Sequence, residues 1–212
     1  MKPEIIPAIL VDTAEEFIDR IHQCEDFAES VQWDIMDGQF VESMTFGETE
    51  ALADVDTTLT IEAHLMVQQP EEWLQKLSDA GVDRIIMHAE SVDDLPRLVK
   101  KANAMNFDVA VAINPETPIS AIDAVAKDLD EVLVMTVEPG EAGQRFLPLQ
   151  LEKVKALRKK YPNLHIGVDG GINRETIILA HKAGADRFCV NSAIFKQPAP
   201  ADAFALLNGS VS

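Results

Sequence analysis

The decamer AGVDRIIMHA, residues 80–89, contains in one stretch the features that decide the fold. Gly81 follows a run with helical spacing, where a helix commonly ends on a glycine, and the apolar run from Arg84 has the length and β-branched content of a buried strand. Residues 183–194, AGADRFCVNSAI, repeat this order around Gly184. Two copies of the same helix-to-strand transition predict a chain in which helices and strands alternate.

The alternation extends along the chain in both directions. We predict eight strands, over residues 4–10, 31–37, 59–66, 84–89, 108–114, 131–137, 165–170 and 187–194. We predict helices over residues 13–27, 47–54, 70–80, 92–105, 118–127, 147–160, 173–184 and 200–207. Thr13 with Glu16 three residues later, and Asn173 with Thr176, have the spacing of helix starts.

Nearly continuous apolar strands that alternate with amphipathic helices are typical of a parallel sheet covered by helices. Eight such units predict an α/β protein with the (β/α)8 TIM-barrel fold, and we expect residues 1–212 to form a single domain. The alternative is an open doubly wound sheet. The Gly-x-Gly-x-x-Gly fingerprint that would favour it does not follow the first strand, and no linker divides the chain.

Composition narrows the classes of function. The chain has 36 acidic and 18 basic residues, which gives a formal net charge of −18. Such a chain repels nucleic-acid phosphates and anionic membrane surfaces, so we expect neither as a partner. Cys24 and Cys189 are too few for a disulfide framework and are expected to be buried thiols. No apolar run is long enough for a signal peptide or a membrane span, so we expect a cytoplasmic protein.

Polar residues are concentrated toward the carboxyl ends of the predicted strands, where barrels of this kind carry their active sites. Side chains two positions apart on a strand share a face, so Gln32 lies on the face of Asp34 and Glu62 on the face of His64. Asp169 lies near the end of the seventh strand. Burial of such groups without partners or a metal would be costly, so their convergence predicts a functional site.

Short motifs recur along almost the whole chain. They are IPAIL at 6–10, DIMDGQFV at 34–41, HLM at 64–66, INPETP at 113–118, VMTVEPG at 134–140, VDGGI at 168–172 and NSAIF at 191–195. Each motif alone is short, but in their order and spacing they resemble those of the ribulose-phosphate 3-epimerase family, within the ribulose-phosphate-binding barrels.

The resemblance implies a reaction and a set of roles. Family members invert a pentulose phosphate at C3 through a cis-enediolate, with two aspartates as acid and base, and the matching residues here are Asp34 and Asp169. It also implies a divalent metal ion, Zn, Fe, Mn or Co, that stabilises the developing negative charge. The positions that match the family's four ligands are Gln32, Asp34, His64 and Asp169.

The resemblance also assigns residues around the substrate. Methionines surround the reacting carbons, and backbone N–H groups of three loops bind the phosphate. The matching residues are Met36, Met66 and Met135 at the carbons, and Gly143, Gly170, Gly171, Asn191 and Ser192 at the phosphate. His88, which ends the fourth strand, is interpreted as a structural group or as support for the site, and Arg145 as a solvated loop residue or a charge that aids phosphate binding.

The chain departs from the family pattern at its site. Gln32 stands where the family has a histidine ligand, and because an amide oxygen is a weaker and harder ligand than imidazole, we expect lower affinity for zinc or iron. Ala8 stands where the family has a serine, and Glu42 stands at the first position of the family's Pro-Asn pair. Glu141 places an acidic residue in the loop after the sixth strand.

Three functional hypotheses follow. The first is a metal-dependent epimerase that interconverts D-ribulose 5-phosphate and D-xylulose 5-phosphate. The second is an epimerase or lyase on another sugar or sugar phosphate, which Glu42 and Glu141 motivate. The third is a non-catalytic sugar-phosphate-binding paralogue, which Gln32 motivates. For the first, the resemblance implies a phosphorylated ketopentose as substrate, and we expect a homo-oligomer.

Overall fold

A computed structural model describes residues 1–53, 55–141 and 143–211. Eight parallel strands form a closed barrel in chain order, and the last strand pairs with the first, which confirms the predicted fold. The strands are β1 (Glu4–Ile9), β2 (Ser30–Met36), β3 (Thr60–Met66), β4 (Arg84–His88), β5 (Asp108–Ile113), β6 (Glu131–Met135), β7 (His165–Asp169) and β8 (Arg187–Val190).

Helices lie between and after the strands. They are α1 (Ala14–Glu25), α2 (Glu50–Ala53), α3 (Leu74–Asp79), α4 (Leu95–Ala104), α5 (Leu151–Lys160), α6 (Thr176–Ala183), α7 (Ser192–Phe195) and α8 (Pro200–Asn208). The predicted start of the first helix is present, because Thr13 Oγ1 accepts a hydrogen bond from the Glu16 amide at 3.3 Å. The predicted stop is present at Gly184, which adopts φ 114° at the end of α6. No described helix has the length and hydropathy needed to cross a membrane.

The connection between β5 and β6 corrects one prediction. Residues 118–127 do not form an α-helix but contain two 3-10 segments, Ile119–Ile122 and Ala126–Asp128. The buried residues Ile122 and Val125 are three positions apart, which matches the three-residue period of a 3-10 helix. An apolar spacing of three fits both helix types over so short a segment.

Boundaries of other elements also differ from the predictions. Of the helix predicted over 47–54, only Glu50–Ala53 is helical, and Asp54 lies outside the described residues. Just before this segment, the backbone is bonded to another part of the chain, where the Phe46 amide donates to the Val11 carbonyl at 2.8 Å. The eighth strand ends at Val190 rather than at residue 194, because α7 starts at Ser192.

The interior of the barrel has three layers of side chains. At its amino end, two buried glutamates, Glu62 and Glu131, lie among the guanidinium groups of Arg84 and Arg187. Above them is an apolar layer made up of Ile6, Ala8, Ile86, Ala110, Ala112 and Leu133. Glu62 therefore shares a face with His64 but belongs to the ion-pair layer. The third layer, at the carboxyl end, contains the site.

A glycine makes room for the ion-pair layer. Gly167 lies on β7 opposite Leu133 of β6. A Cβ atom at position 167 would clash with the Glu131 carboxylate and lie 2.7 Å from Leu133 Cδ1. The space that a side chain would occupy is thus taken by a buried charge, and a larger residue at position 167 would displace it.

Candidate active site

A cleft opens at the carboxyl end of the barrel and gathers most of the predicted site residues. Its empty space, open solvent included, is about 540 Å³. The predicted residues that line it are Asp34, Met36, His64, Met66, Met135, Gly143, Asp169, Gly170, Gly171, Asn191 and Ser192. Gln32 lies beneath them with no exposed surface. The sequence-based set is therefore brought together in one place.

Asp34, His64 and Asp169 form the centre of the cleft. Asp34 on β2 lies directly beside His64 on β3 in the register of the sheet. The Nδ1 atom of His64 is 3.0 Å from Asp34 Oδ1 and 3.4 Å from Asp169 Oδ2. Ligand atoms of the three residues lie within 4.8 Å of one another. Two carboxylates and one imidazole with an open side are a donor set that can hold a catalytic divalent ion.

Gln32 meets this cluster with its amide nitrogen. Its Nε2 donates to Asp34 Oδ1 and to Asp169 Oδ2, each at 2.8 Å, and lies 3.4 Å from His64 Nδ1. Its Oε1 points away and accepts a hydrogen bond from the Cys189 thiol at 2.9 Å. In this orientation Gln32 presents hydrogen-bond donors rather than a ligand oxygen to the cluster.

Charge and burial shape the protonation of the cluster. Burial raises the pKa of Asp34, and the neighbouring Asp169 carboxylate adds to the rise. Burial alone would lower the pKa of His64, but hydrogen bonds to Asp169 and Asp34 outweigh it and raise that pKa to about 9. Burial raises the pKa of Cys189 well above its usual value, which keeps the thiol protonated and able to donate to Gln32.

A chain of hydrogen bonds supports His64 at Nε2, the ring nitrogen that faces away from the carboxylates. His64 Nε2 lies 2.9 Å from His88 Nε2, and His88 Nδ1 lies 2.8 Å from Asn114 Oδ1. Both imidazoles are fully buried. Burial lowers the pKa of His88, which favours its neutral form. This arrangement fits the expectation that His88 supports the site, since it holds the ring of His64 with Nδ1 toward the carboxylates.

Glu90 extends this support to the loop after β5. Its carboxylate accepts hydrogen bonds from the backbone N–H of Asn114 at 2.8 Å and from the Thr117 hydroxyl. It lies 3.5 Å from His88 Nδ1. Although burial acts to raise its pKa, these hydrogen bonds lower the pKa of Glu90 to about 2. Glu90 is therefore an ionised anchor for the strand ends next to the site.

The glycine loops form the other wall of the cleft. Gly170 and Gly171 adopt φ 112° and 65°, which favour glycine, and a Cβ atom at Gly171 would lie 2.6 Å from the Phe146 amide nitrogen. The ammonium group of Lys196 would lie 3.8 Å from a Cβ atom at Gly143. Arg145 is not among the residues that line the cleft. Lys196, which sequence reasoning did not select, thus places a positive charge beside this wall.

Sequence reasoning also missed the role of Cys189 in the site. It lines the cleft and contacts Gln32, although we expected only a buried thiol. The two-residue period of β8 could have indicated it, because Arg187, Cys189 and Asn191 alternate on one face and Asn191 was predicted to face the substrate.

The family model and the relatives found by sequence agree on one family. Residues 4–195 match the model of the ribulose-phosphate 3-epimerase family. The chain is 35% identical to a ribulose-phosphate 3-epimerase of Candida glabrata, covering all of this chain and 93% of that one. It is 38% identical to a ribulose-phosphate 3-epimerase of Oryza sativa described as a cytoplasmic isoform, covering 87% and 83%. The match to a crystal structure of 3-hexulose-6-phosphate synthase covers both chains fully, with a TM-score of 0.74 at 18% identity, which shows a shared fold.

Proposed function

The chain belongs to the ribulose-phosphate 3-epimerase family, and on that premise we propose that it interconverts D-ribulose 5-phosphate and D-xylulose 5-phosphate. One observation carries the proposal. Asp34 and Asp169 come from strands on different sides of the barrel, yet both carboxylates reach the same cleft and lie 2.8 Å from one amide nitrogen.

Inversion at a carbon needs a proton removed on one face and another delivered on the opposite face. Two carboxylates that flank the sugar supply both functions, and Asp34 and Asp169 exchange roles when the reaction runs in reverse. Because C3 is adjacent to a ketone carbon, the removal of its proton produces an enediolate. We assign the proton transfers at C3 to Asp34 and Asp169.

We propose that Asp34, His64 and Asp169 hold a divalent ion, which is Zn, Fe, Mn or Co. When bound, the ion supplies positive charge next to the oxygen on which negative charge develops. The imidazole of His64 is already oriented for this purpose by His88. The ligand set we propose has three protein residues, since the oxygen of Gln32 faces Cys189.

The walls of the cleft fit a sugar phosphate. Met36, Met66 and Met135 are each at most 4% exposed and cover the floor with apolar surface, which limits the access of water to the enediolate. At the other wall we propose that the phosphate is bound by backbone N–H groups near Gly143, Gly170, Gly171, Asn191 and Ser192.

Proton exchange at C3 tests the proposal directly. The protein is incubated with D-ribulose 5-phosphate in D2O with Mn²⁺, Zn²⁺ or Fe²⁺, and the C3 proton is followed by NMR. We expect loss of the C3 signal together with the appearance of D-xylulose 5-phosphate. Asp34→Asn and Asp169→Asn should each lower turnover by about 10²- to 10⁴-fold, since each removes a proton-transfer group.

The matched control is Asp202→Asn, which makes the same change at an exposed position of α8 and should leave turnover unchanged. Absence of exchange with every metal would refute the proposal and direct attention to another sugar.

We also propose that the protein acts in the cytoplasm and as a homo-oligomer. Both cysteines, Cys24 and Cys189, are buried free thiols, which suits a reducing compartment. Two large apolar side chains, Met44 at 71% and Leu149 at 82%, are exposed and are candidates for contact between copies. Light scattering coupled to size-exclusion chromatography would measure the mass in solution, and a mass of 23.3 kDa would contradict the oligomer.

A further inference from the structure

The amide nitrogen of Gln32 contacts the three atoms that would bind an ion. It is 2.8 Å from one oxygen of Asp34, 2.8 Å from one oxygen of Asp169 and 3.4 Å from His64 Nδ1. An ion bound by these atoms would be about 2.0–2.2 Å from each of them. An ion held by these atoms would lie next to the NH2 group, whose hydrogens point at the same two carboxylate oxygens, so the NH2 group and the ion compete for those oxygens.

The orientation of the amide is fixed from the opposite side by Cys189. The thiol donates to Gln32 Oε1 at 2.9 Å, and both residues are almost completely buried. With the amide turned over, Oε1 would lie against two carboxylates without an ion, and the NH2 group would face sulfur, a weak acceptor. Three hydrogen bonds thus favour the orientation with nitrogen toward the carboxylates.

We propose that Gln32 is an internal competitor of the metal ion, and that Cys189 is a positioning residue that holds Gln32 in the competing orientation. The NH2 group bridges the two aspartates in the resting protein and must be displaced before the ion binds. This inference rests on the proposed function only in taking Asp34, His64 and Asp169 as the metal-binding residues. It predicts that metal affinity is limited by a residue that is not a ligand.

The test measures metal affinity directly, without substrate. Mn²⁺ is titrated into the metal-free protein, and free Mn²⁺ is read from its electron paramagnetic resonance signal. This ion is chosen because a hard ion does not favour thiols, so the loss of a thiol does not remove a ligand. Cys189→Ala removes the donor to Oε1 and should tighten Mn²⁺ binding by about 3- to 10-fold, which corresponds to the loss of one neutral hydrogen bond. Gln32→Ala removes the competitor and should tighten it at least as much.

Two matched variants separate positioning from loss of a buried thiol. Cys189→Ser keeps a donor for Oε1 and should return the Mn²⁺ affinity toward that of the unchanged protein. Cys24→Ala removes the other buried thiol, on α1, and should leave the affinity unchanged. An affinity that stays constant or falls in both Cys189→Ala and Gln32→Ala would overturn the proposal, as would the absence of Mn²⁺ binding in every variant.

A measurement on the unchanged protein covers the case in which the variants do not fold. The side-chain NH2 signals of Gln32 in a ¹⁵N-labelled sample should be protected from hydrogen exchange without metal and lose that protection with Zn²⁺. Protection that persists at saturating Zn²⁺ would contradict displacement. Epimerase activity is measured separately, so a failure of this inference leaves the proposed function intact, and tighter binding without epimerisation would count against the proposed function alone.

Discussion

Replacement of His88 by leucine tests the support that holds the candidate metal ligand His64. The two side chains are similar in size, but leucine offers no hydrogen-bonding atom. In the structure, His64 Nε2 has His88 Nε2 as a partner at 2.9 Å, and both rings are fully buried. The substitution therefore leaves the outer nitrogen of His64 buried and deprives it of this partner.

The size of the effect follows from that loss. A buried polar group left without a partner costs about 1–3 kcal/mol. For a chain of 212 residues, about 2.1 cal/mol/K of unfolding entropy per residue converts this cost into a Tm lowered by about 2–7 °C. Because the partner also fixes the orientation and tautomer of the ligand, metal affinity should fall by about 10- to 100-fold.

Calorimetric titration with Mn²⁺ and thermal unfolding of the metal-free protein measure the two effects. His88→Gln restores an acceptor and should recover most of the metal affinity. His181→Leu, on α6 outside the cluster, is the control for loss of a histidine and should leave that affinity unchanged. Equal losses in His88→Leu and His88→Gln, or a lowered Tm with unchanged affinity, would refute the hydrogen-bond argument.

Three other predictions concern the wall of the cleft, the acid range and the barrel interior. Lys196→Ala should raise KM for the sugar phosphate about 3- to 10-fold with kcat nearly constant, because its charge lies beside Gly143, and an unchanged KM would rule out a role in phosphate binding. Since the pKa of Glu90 is lowered to about 2, its contribution is present above pH 4.5 and is lost as pH falls toward 2. Between pH 4.5 and 2 the free energy of unfolding should therefore fall by about 1–2 kcal/mol less in Glu90→Gln than in the unchanged protein, allowing for the partial exposure of Glu90. Identical acid-unfolding curves for the two proteins would contradict this. Gly167→Ala should destabilise the fold by about 3 kcal/mol or more by displacing the Glu131 carboxylate, and a Tm within 2 °C of the unchanged protein, roughly the effect of 1 kcal/mol, would show that the layer can adjust.

The fold could be predicted because its signals are local and repeated. The glycine that ends α6, the threonine that begins α1 and the short apolar runs each act within a few residues of the chain. The prediction for the segment between β5 and β6 was wrong because apolar residues three positions apart occur in both a 3-10 helix and an α-helix. The helix predicted over 47–54 was too long, and the Phe46 amide just before it binds Val11, a contact between distant segments that the local sequence does not indicate.

The positions of the candidate site residues could also be predicted, but not their contacts. Asp34, His64 and Asp169 follow the two-residue period toward the ends of their strands, so the barrel fold places them in one cleft. The orientation of the Gln32 amide depends on groups from three other strands. The two-residue period of β8 places Cys189 on the face of the site, but its hydrogen bond joins residues 157 positions apart, and no local pattern indicates Gln32 as its partner.

Glu141 at the edge of the cleft has a consequence for the encounter with substrate. A phosphate ester carries about 1.5–2 negative charges near pH 7, and it approaches a lip that bears an acid on a chain of net charge −18. Long-range attraction, which accelerates binding in many enzymes of charged substrates, is here replaced by repulsion. At an ionic strength of about 0.15 M the repulsion extends only about 8 Å from each charge. Capture of a sugar phosphate should therefore be slow in dilute buffer and become faster as salt is added, which suits a working medium rich in dissolved ions.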